Sequence, residues 1–304
     1  MIAVEDLRKA YGEFVAVEGS TFSVDPGEIF GVVGPNGAGK TTTLKMCAGL
    51  IEPSGGAATV ASRDVADPEM RRSLGFLPEE SPLYEEMTPR SYLRFFADLY
   101  DVPREVGDER AAAALDRLSL DIRDRRLGDM SKGMKRKVAI ARSLVNDPDV
   151  LVYDEPASGL DPLTTDAVLE FTRDLADDGR TVLFSAHNLY HVESVCDRVV
   201  IMNEGEIIAR GTVPEIRAEH GETTYRVHTT VPVDGSTPAG DRHVVEVADM
   251  DGVDAVREAA DAAGGEVVDI RTEEPSLEAV FLSLAGRAKG QERTGAALRR
   301  GPER

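Results

Sequence analysis

The sequence contains no tryptophan, two cysteines and seven lysines among 304 residues. The cysteines, Cys47 and Cys196, are far apart and have apolar neighbours, which predicts two buried thiols in a reducing compartment rather than a disulfide framework. No apolar run approaches the length of about 18 residues that a membrane-spanning helix needs, so none is expected. The N-terminus has no basic region followed by an apolar one, and we therefore expect no signal peptide.

Positive charge is also scarce. The 35 Lys and Arg residues face 55 Asp and Glu residues, the formal net charge is −20, and Arg outnumbers Lys by 28 to 7. Because salt screens the self-repulsion of an acidic surface, this composition favours a protein adapted to a high-salt, halophilic cytoplasm. The acidic balance also argues against general binding to nucleic acid, since neutralising phosphates takes Lys and Arg.

One basic segment contrasts with this acidity. Residues 128–145, GDMSKGMKRKVAIARSLV, hold five basic side chains and no acid after Asp129. They indicate either a nucleic-acid patch or half of a phosphate site. Ser131 is a good N-cap for a helix here. The residues expected on its buried face are Met134, Val138, Ala141 and Val145. The residues expected on a solvated, ion-paired face are Lys135, Arg136, Lys137 and Arg142.

The order of apolar and polar runs predicts two regions. In the first, we expect strands within 1–33 (ending in a buried strand at Ile29–Val33), at 150–155 and at 181–187, helices at 40–50, within 83–127 and at 162–178, and a hairpin at 198–211. In the second, we expect strands at 223–231, 242–249 and 266–272, helices at 253–265 and 275–286, and a loop at 233–242. Residues 287–304 carry six basic and two acidic residues and are expected to form a disordered basic tail.

A glycine-rich loop follows the strand expected at Ile29–Val33. Its spacing, Gly34-x-x-x-x-Gly39-Lys40-Thr41, between a strand and a helix is that of a P-loop, whose backbone N–H groups surround phosphates. Lys40 is expected to reach the β- and γ-phosphates, and the Thr41 hydroxyl to bind Mg²⁺. The nucleotide contacts expected in this loop are Gly34, Pro35, Asn36, Gly37, Ala38, Gly39, Lys40, Thr41 and Thr42. The loop predicts a nucleoside triphosphate ligand.

An acidic pair ends the apolar run VLVYDE at residues 150–155. The strand predicted there would deliver Asp154 and Glu155 at its carboxyl end, where ligands of open α/β sheets bind. Asp154 is expected to hold the metal through water. Glu155 is expected to polarise the attacking water as a general base.

These motifs resemble those of the ATP-binding subunits of ABC transporters over residues 1–215. FLPEESPLY occupies the position of the family's Q-loop, and MSKGMKRKVAIARSLVNDP that of its signature, just before the Walker B strand VLVYDEP. ASGLDP is similar to the D-loop, and FSAHNL to the switch-histidine segment. The ending EPSLEAVFLSLAG resembles the small C-terminal domain of drug-, antibiotic- and sodium-export-type members.

The resemblance implies an α/β fold of the P-loop NTPase class. It implies an ABC-type ATP-binding domain at 1–218, with a helical subdomain at about 80–145, and a small α+β module at 219–286. The cofactors implied are ATP and Mg²⁺. In this family Tyr11 would stack on adenine, Glu79 would reach the metal, and His187 would contact the γ-phosphate and help to hold Glu155. The contacts implied to a second copy's ATP are Ser131, Gly133 and Asp161.

The resemblance also implies partners. Two copies would form a head-to-tail homodimer with an ATP at each shared site. Its closing and opening would drive a separate membrane-spanning permease from the cytoplasmic side of the membrane. No nucleic-acid partner is implied.

Two departures and three alternatives qualify this interpretation. The signature reads Met130-Ser131-Lys132-Gly133-Met134 where Leu-Ser-Gly-Gly-Gln is common, and Glu79 stands where the family usually has Gln; we interpret both as marks of a subfamily. A metabolic P-loop kinase leaves the signature, D-loop and switch histidine unexplained. A DNA-repair or translation ABC ATPase needs a long coiled coil or a second P-loop, but only 114 residues separate Lys40 from Asp154. An ATP-dependent regulatory role stays open.

Overall fold

The computed structural model describes residues 1–221, 223–273 and 275–286. It divides into two compact units, Met1–Thr212 and a second that begins at Val213. The domain boundary expected at 218/219 stays a prediction, and the expected basic tail lies outside the described residues. Within the described ranges, no helix combines the length and the apolar character needed to cross a membrane.

A six-stranded sheet lies at the centre of the first unit. Its strands are β3 (Ile29–Val33), β6 (Leu74–Leu77), β7 (Val150–Asp154), β8 (Thr181–Ala186), β9 (Arg198–Asn203) and β10 (Glu206–Gly211), in the order β10-β9-β3-β8-β7-β6. Five are parallel, and β10 is antiparallel to β9, which confirms the hairpin. Every residue of β3, β7 and β8 is buried, as continuous apolar runs predict for a parallel sheet. The segments that follow these strands therefore start at one edge of the sheet.

A second, antiparallel sheet covers the P-loop helix. Its strands are β1 (Ile2–Tyr11), β2 (Phe14–Val24), β4 (Gly55–Val60) and β5 (Arg63–Asp64), in the order β2-β1-β4-β5. Apolar residues of β1, such as Ile2 and Val4, share one core cluster with Leu44 and with Val152 of β7. The strands expected within 1–33 are confirmed, but they divide between two sheets.

Six α-helices complete the first unit. They are α1 (Lys40–Cys47), α2 (Pro89–Leu99), α3 (Arg104–Arg117), α4 (Lys132–Arg142), α5 (Pro162–Asp177) and α6 (Leu189–Val195). The region expected to be helical at 83–127 contains α2 and α3. Thr88 begins α2 with a capping box that includes Ser91. Side-chain oxygens of Ser131 and Asp161 accept backbone hydrogen bonds at the starts of α4 and α5, which confirms the N-cap expected at Ser131.

The second unit is a small α+β module. Its elements are α7 (Val213–His220), β11 (Thr224–Thr229), β12 (Thr237–Ala239), β13 (Arg242–Val247), α8 (Met250–Ala262) and β14 (Val267–Glu273), and residues 277–286 are helical. The sheet order is β12-β13-β11-β14, and Val227 and Val245 pack with Val253 and Val256 of α8. The loop prediction for 233–242 is wrong at β12, because those residues pair with β13 and satisfy backbone hydrogen bonds there.

Candidate functional site

The P-loop wraps closely against its surroundings. Gly34 and Gly39 have φ of 153° and 102°, a region that favours glycine. A Cβ at Gly34 would lie 2.2 Å from the Met202 carbonyl oxygen, and one at Gly39 2.6 Å from that of Ala16. Larger residues at these positions would therefore displace backbone. The loop leads directly into α1, whose first N–H groups point toward the open side of the loop.

Lys40 stands inside this loop. Its side chain is only 6 % exposed, and Nζ donates to the carbonyl oxygens of Gly34 at 2.8 Å and Pro35 at 3.2 Å. Nζ also lies 3.4 Å from Oε1 of Glu155. A buried ammonium held by the loop's own carbonyls provides a fixed positive charge beside the backbone N–H groups, as binding of phosphates requires.

The two acids at the end of β7, Asp154 and Glu155, meet the P-loop at the carboxyl edge of the sheet. The Thr41 hydroxyl donates to Oδ1 of Asp154 at 3.2 Å, and the Ser185 hydroxyl donates to the same oxygen at 2.6 Å. Oε2 of Glu155 lies 2.7 Å from Nδ1 of His187, in the segment after β8. The structure thus brings together Lys40, Thr41, Asp154, Glu155 and His187, which are scattered along the sequence.

The backbone of Glu155 is itself strained. Its φ is 48°, in the left-handed region that non-glycine residues rarely adopt. Its N–H donates to the carbonyl oxygen of Ser185 at 3.2 Å and to the Ser185 hydroxyl at 3.0 Å. The carboxylate is only 7 % exposed. Strain of this kind occurs where surrounding contacts fix a functional side chain, and here those contacts aim the carboxylate between Lys40 and His187.

The oxygen donors near the loop suit Mg²⁺. Glu79 and Glu155 line a cleft of about 350 Å³ together with the P-loop, and Thr41, which also lines it, donates its hydroxyl to the Asp154 carboxylate. Among the described residues, no group of three or more His, Cys, Asp or Glu could hold a metal. The Thr41 hydroxyl and the Asp154 carboxylate fit Mg²⁺, which is usually held by one or two carboxylates together with substrate phosphates.

Two aromatic residues stand opposite each other at the turn between β1 and β2. Tyr11 pairs with Phe14 across the hairpin, and the two are 52 % and 65 % exposed. Phe14 lines the P-loop cleft, whereas the ammonium of Lys9 lies 5.2 Å from the ring centre of Tyr11. Adenine stacking by Tyr11 stays a prediction, and Phe14 is a second candidate that the sequence reasoning missed. The available signal was an aromatic residue directly after the turn.

The signature segment and the D-loop meet at Thr164 of α5. A Cβ added at Gly133 would lie 3.0 Å from the Thr164 methyl carbon. Asp161 accepts hydrogen bonds from the Thr164 N–H at 3.1 Å and from its hydroxyl at 2.7 Å, and these bonds hold the pKa of Asp161 below its usual range. Ser131 and Asp161 are exposed. Of the described residues that line the P-loop cleft, none is Ser131, Gly133 or Asp161.

Comparison with known proteins agrees with this arrangement. Residues 17–158 match the family model described as ABC transporter. Over 302 residues, covering 94 % of this chain and 96 % of the other, the chain is 33 % identical to the daunorubicin resistance ATP-binding protein of Streptomyces coeruleorubidus. The chain belongs to the family of ABC transporter ATP-binding proteins.

Further relatives of this ABC protein are similar over nearly its full length or over about three quarters of it. The linearmycin resistance ATP-binding protein of Bacillus subtilis is 31 % identical over 307 residues, covering 94 % of this chain and 99 % of the relative. A solved ATP-binding subunit of an ABC transporter is 37 % identical, with a TM-score of 0.67 over 73 % of this chain and 93 % of the other. The structural likeness confirms the expected ABC-type α/β fold.

The basic helix of this ABC protein differs from the expectation. Lys135 pairs with Glu85 at 3.4 Å, as a solvated face predicts. Arg142 is half-buried, with its guanidinium 5.3 Å from the ring centre of Phe96. Arg136 is only 7 % exposed. The prediction of a solvated position is wrong for Arg136, because its guanidinium donates to main-chain carbonyls inside the first unit.

Lys132, which stands where the common signature has a glycine, lies against Gly159 of the D-loop. A Cβ built at Gly159 would lie 2.2 Å from Nζ of Lys132. Gly159 has φ of 65°, so its bare backbone leaves room for this ammonium. The contact joins signature and D-loop within one chain and places a positive charge beside Ser158, which lines the same cavity as Lys132.

Proposed function

We propose that this chain hydrolyses ATP with Mg²⁺ and, as a homodimer, powers an export-type membrane permease from the cytoplasmic side of the membrane. The contact of Glu155 with both Lys40 and His187, beside the P-loop, is the observation that carries the proposal. It puts a buried carboxylate next to a phosphate-binding loop, which is the arrangement that hydrolysis of a nucleoside triphosphate needs.

Binding of ATP is assigned to the P-loop and its neighbours. The backbone N–H groups of Gly34 and of residues 36–42, together with the ammonium of Lys40, would hold the phosphates. Mg²⁺ would be held by the Thr41 hydroxyl and by Asp154, with Glu79 at the rim of the same cleft. When bound, the metal neutralises charge on the phosphates. Tyr11, with Phe14 as an alternative, would contact the adenine.

The chemical step is assigned to Glu155. Its carboxylate accepts the proton of the attacking water, and the imidazole of His187 orients the carboxylate through the 2.7 Å contact between Nδ1 and Oε2. The Ser185 hydroxyl and backbone hold Asp154 and Glu155 in place from the neighbouring strand. These groups come from the ends of two neighbouring strands, β7 and β8, so the folded sheet is needed to assemble them.

The dimer is assigned from a group of three residues, called the half-site below, that would complete the ATP site of a second copy. Gly133 and Asp161 both lie against Thr164, Ser131 begins the helix that holds Gly133, and none of the three lines the P-loop cleft of its own chain. Ser131 and Gly133 stand at the start of α4 and Asp161 at the start of α5, and the N-terminus of α4 suits a phosphate that a second copy presents. An exporter role is supported by relatives whose names state resistance to linearmycin and daunorubicin.

The proposal is tested by measuring phosphate release from Mg-ATP by the purified protein. Glu155→Gln removes the proposed base and keeps the shape of the side chain, so turnover should fall about 10²-fold or more while ATP still binds. Glu170→Gln, an exposed carboxylate on α5, is the matched control and should keep wild-type turnover. No hydrolysis by the wild type, or full hydrolysis by Glu155→Gln, would contradict the proposal.

A further inference from the structure

Arg136 joins two segments that each contribute a residue, Glu79 or Glu155, to the lining of the P-loop cleft. From α4, Nε donates to the Pro156 carbonyl oxygen at 2.7 Å, and Nη2 donates to those of Asp154 at 3.1 Å and Glu155 at 2.8 Å. Nη1 donates to the carbonyl oxygens of Pro78 at 2.7 Å and Glu79 at 3.0 Å. One guanidinium therefore holds three successive carbonyls that begin at the last residue of β7, and two that follow β6.

All five carbonyls lie beyond the last position at which β6 and β7 pair. β6 and β7 are neighbouring parallel strands, and Leu77 opposite Tyr153 is their last paired position. Beyond it the chains pass through Pro78 and Pro156, which have no N–H to offer a neighbour. Buried carbonyls need partners, and the five N–H groups of a guanidinium, arranged in a rigid plane, replace those that the missing strand pairing would have given.

Glu155 is held from both sides as a result. Its N–H donates to Ser185 of β8, and its carbonyl oxygen accepts from Arg136 of α4. With both backbone groups fixed, the left-handed φ of 48° at Glu155 is imposed by its surroundings. The direction of the carboxylate toward Lys40 and His187 depends on that backbone conformation.

Burial disfavours the charged form of the Arg136 guanidinium. Desolvation lowers the pKa of its guanidinium to about 10, and the nearby carboxylate of Asp154 opposes that shift. The group therefore stays charged at neutral pH. A charged donor forms stronger hydrogen bonds than a neutral one, which suits a residue that holds strained backbone in place.

We propose that Arg136 is the positioning residue for Glu155, and that it mechanically couples the backbone of residues 78–79 to the orientation of that carboxylate. The proposal rests on the hydrolytic role proposed for Glu155. It makes Arg136 necessary for turnover although its side chain contacts backbone, and not the nucleotide site itself. A shift of residues 78–79 would then change turnover through the guanidinium.

The test compares Arg136→Lys and Arg136→Gln with Lys137→Gln, a half-buried neighbour on the same helix that controls for loss of a positive charge. Lysine keeps the charge but cannot span two segments with a planar fork. We expect the turnover number for ATP to fall about tenfold or more in both Arg136 variants, with ATP affinity within about threefold of wild type. Lys137→Gln should retain wild-type values.

A double-mutant cycle distinguishes a positioning role of Arg136 from a contribution to the stability of the fold. If Arg136 acts through Glu155, adding Arg136→Lys to Glu155→Gln should cost no further turnover, since the carboxylate it positions is already gone. Multiplicative losses, normal turnover in Arg136→Lys, or a loss that follows only the folded fraction in thermal unfolding would each overturn the inference. If Glu155→Gln alone hydrolyses ATP normally, the proposed function fails first, and this inference fails with it.

Discussion

The imidazole of His187 contacts the carboxylate of Glu155, with Nδ1 2.7 Å from Oε2. The two side chains differ sharply in exposure: 51 % for His187 against 7 % for Glu155. A half-exposed ring thus caps a buried carboxylate, on the side that faces solvent. The contact orients the carboxylate, and it leaves His187 accessible to a ligand that arrives from solvent.

Replacing His187 by Ala should lower the turnover number for ATP about tenfold or more and leave ATP affinity nearly unchanged, because the ring orients the proposed base without forming part of the P-loop. Steady-state phosphate release and nucleotide titration measure the two quantities separately. His191→Ala, on the following helix, is the control. An equal loss in both variants would count against a specific role for His187.

Replacing Lys40 by Ala should abolish most ATP affinity. The buried ammonium is the positive charge held within the loop, and its loss also leaves the carbonyl oxygens of Gly34 and Pro35 without this donor. Titration calorimetry with Mg-ATP measures the effect. Lys45→Ala, at the other end of α1, should bind as the wild type does. Unchanged affinity in Lys40→Ala would contradict the P-loop assignment.

Asp161 should stabilise the fold in its charged form. Its hydrogen bonds from Thr164 hold its pKa below the usual range, so its contribution is complete above the ordinary Asp pKa of about 3.9 and is lost as pH falls through the lower folded-state value. Asp161→Asn should therefore lower the free energy of unfolding near pH 6, and the difference should shrink as pH falls below the ordinary Asp pKa of about 3.9. Urea unfolding across this range measures it.

The matched control for that experiment is Asp166→Asn, an exposed residue further along α5. It lies beyond the first turn, where a carboxylate gains less from the helix N-terminus. A pH-independent difference for Asp161→Asn would show that the charge of the cap adds nothing to its hydrogen bonds.

The high-salt origin predicted from composition also has a measurable consequence. A net charge of −20 implies self-repulsion that salt screens, so the melting temperature should rise from dilute buffer to about 2 M KCl. Choline chloride at the same ionic strength distinguishes general screening from a specific effect of potassium. A flat or falling melting temperature in KCl would contradict the prediction.

Sequence patterns predicted the structure correctly where a single local rule determines a strand or a helix cap. The apolar runs of β3, β7 and β8 predicted buried parallel strands, and the acids placed after β7 do reach the P-loop. Ser131 also caps α4 as expected, because N-capping depends on local residues alone.

Sequence patterns were insufficient where contacts between distant segments determine whether a side chain is buried. Arg136 and Lys137 are neighbours in one basic run, and helical spacing alone assigned both to solvent. Arg136 is buried because the segments after β6 and β7 leave carbonyls without partners, which a linear pattern cannot reveal. The same limit applies to Phe14, whose place on the cleft depends on where the β1–β2 turn meets the P-loop.

The claim that the ATP site is completed by a second copy is tested most directly by the mass of Glu155→Gln in solution. With Mg-ATP, light scattering after gel filtration should give twice the monomer mass, and without nucleotide the monomer mass. When Gly133→Asp is added to Glu155→Gln, it puts a negative charge at the half-site, and this double variant should bind ATP and stay monomeric. Glu155→Gln that binds ATP and remains a monomer would contradict the account.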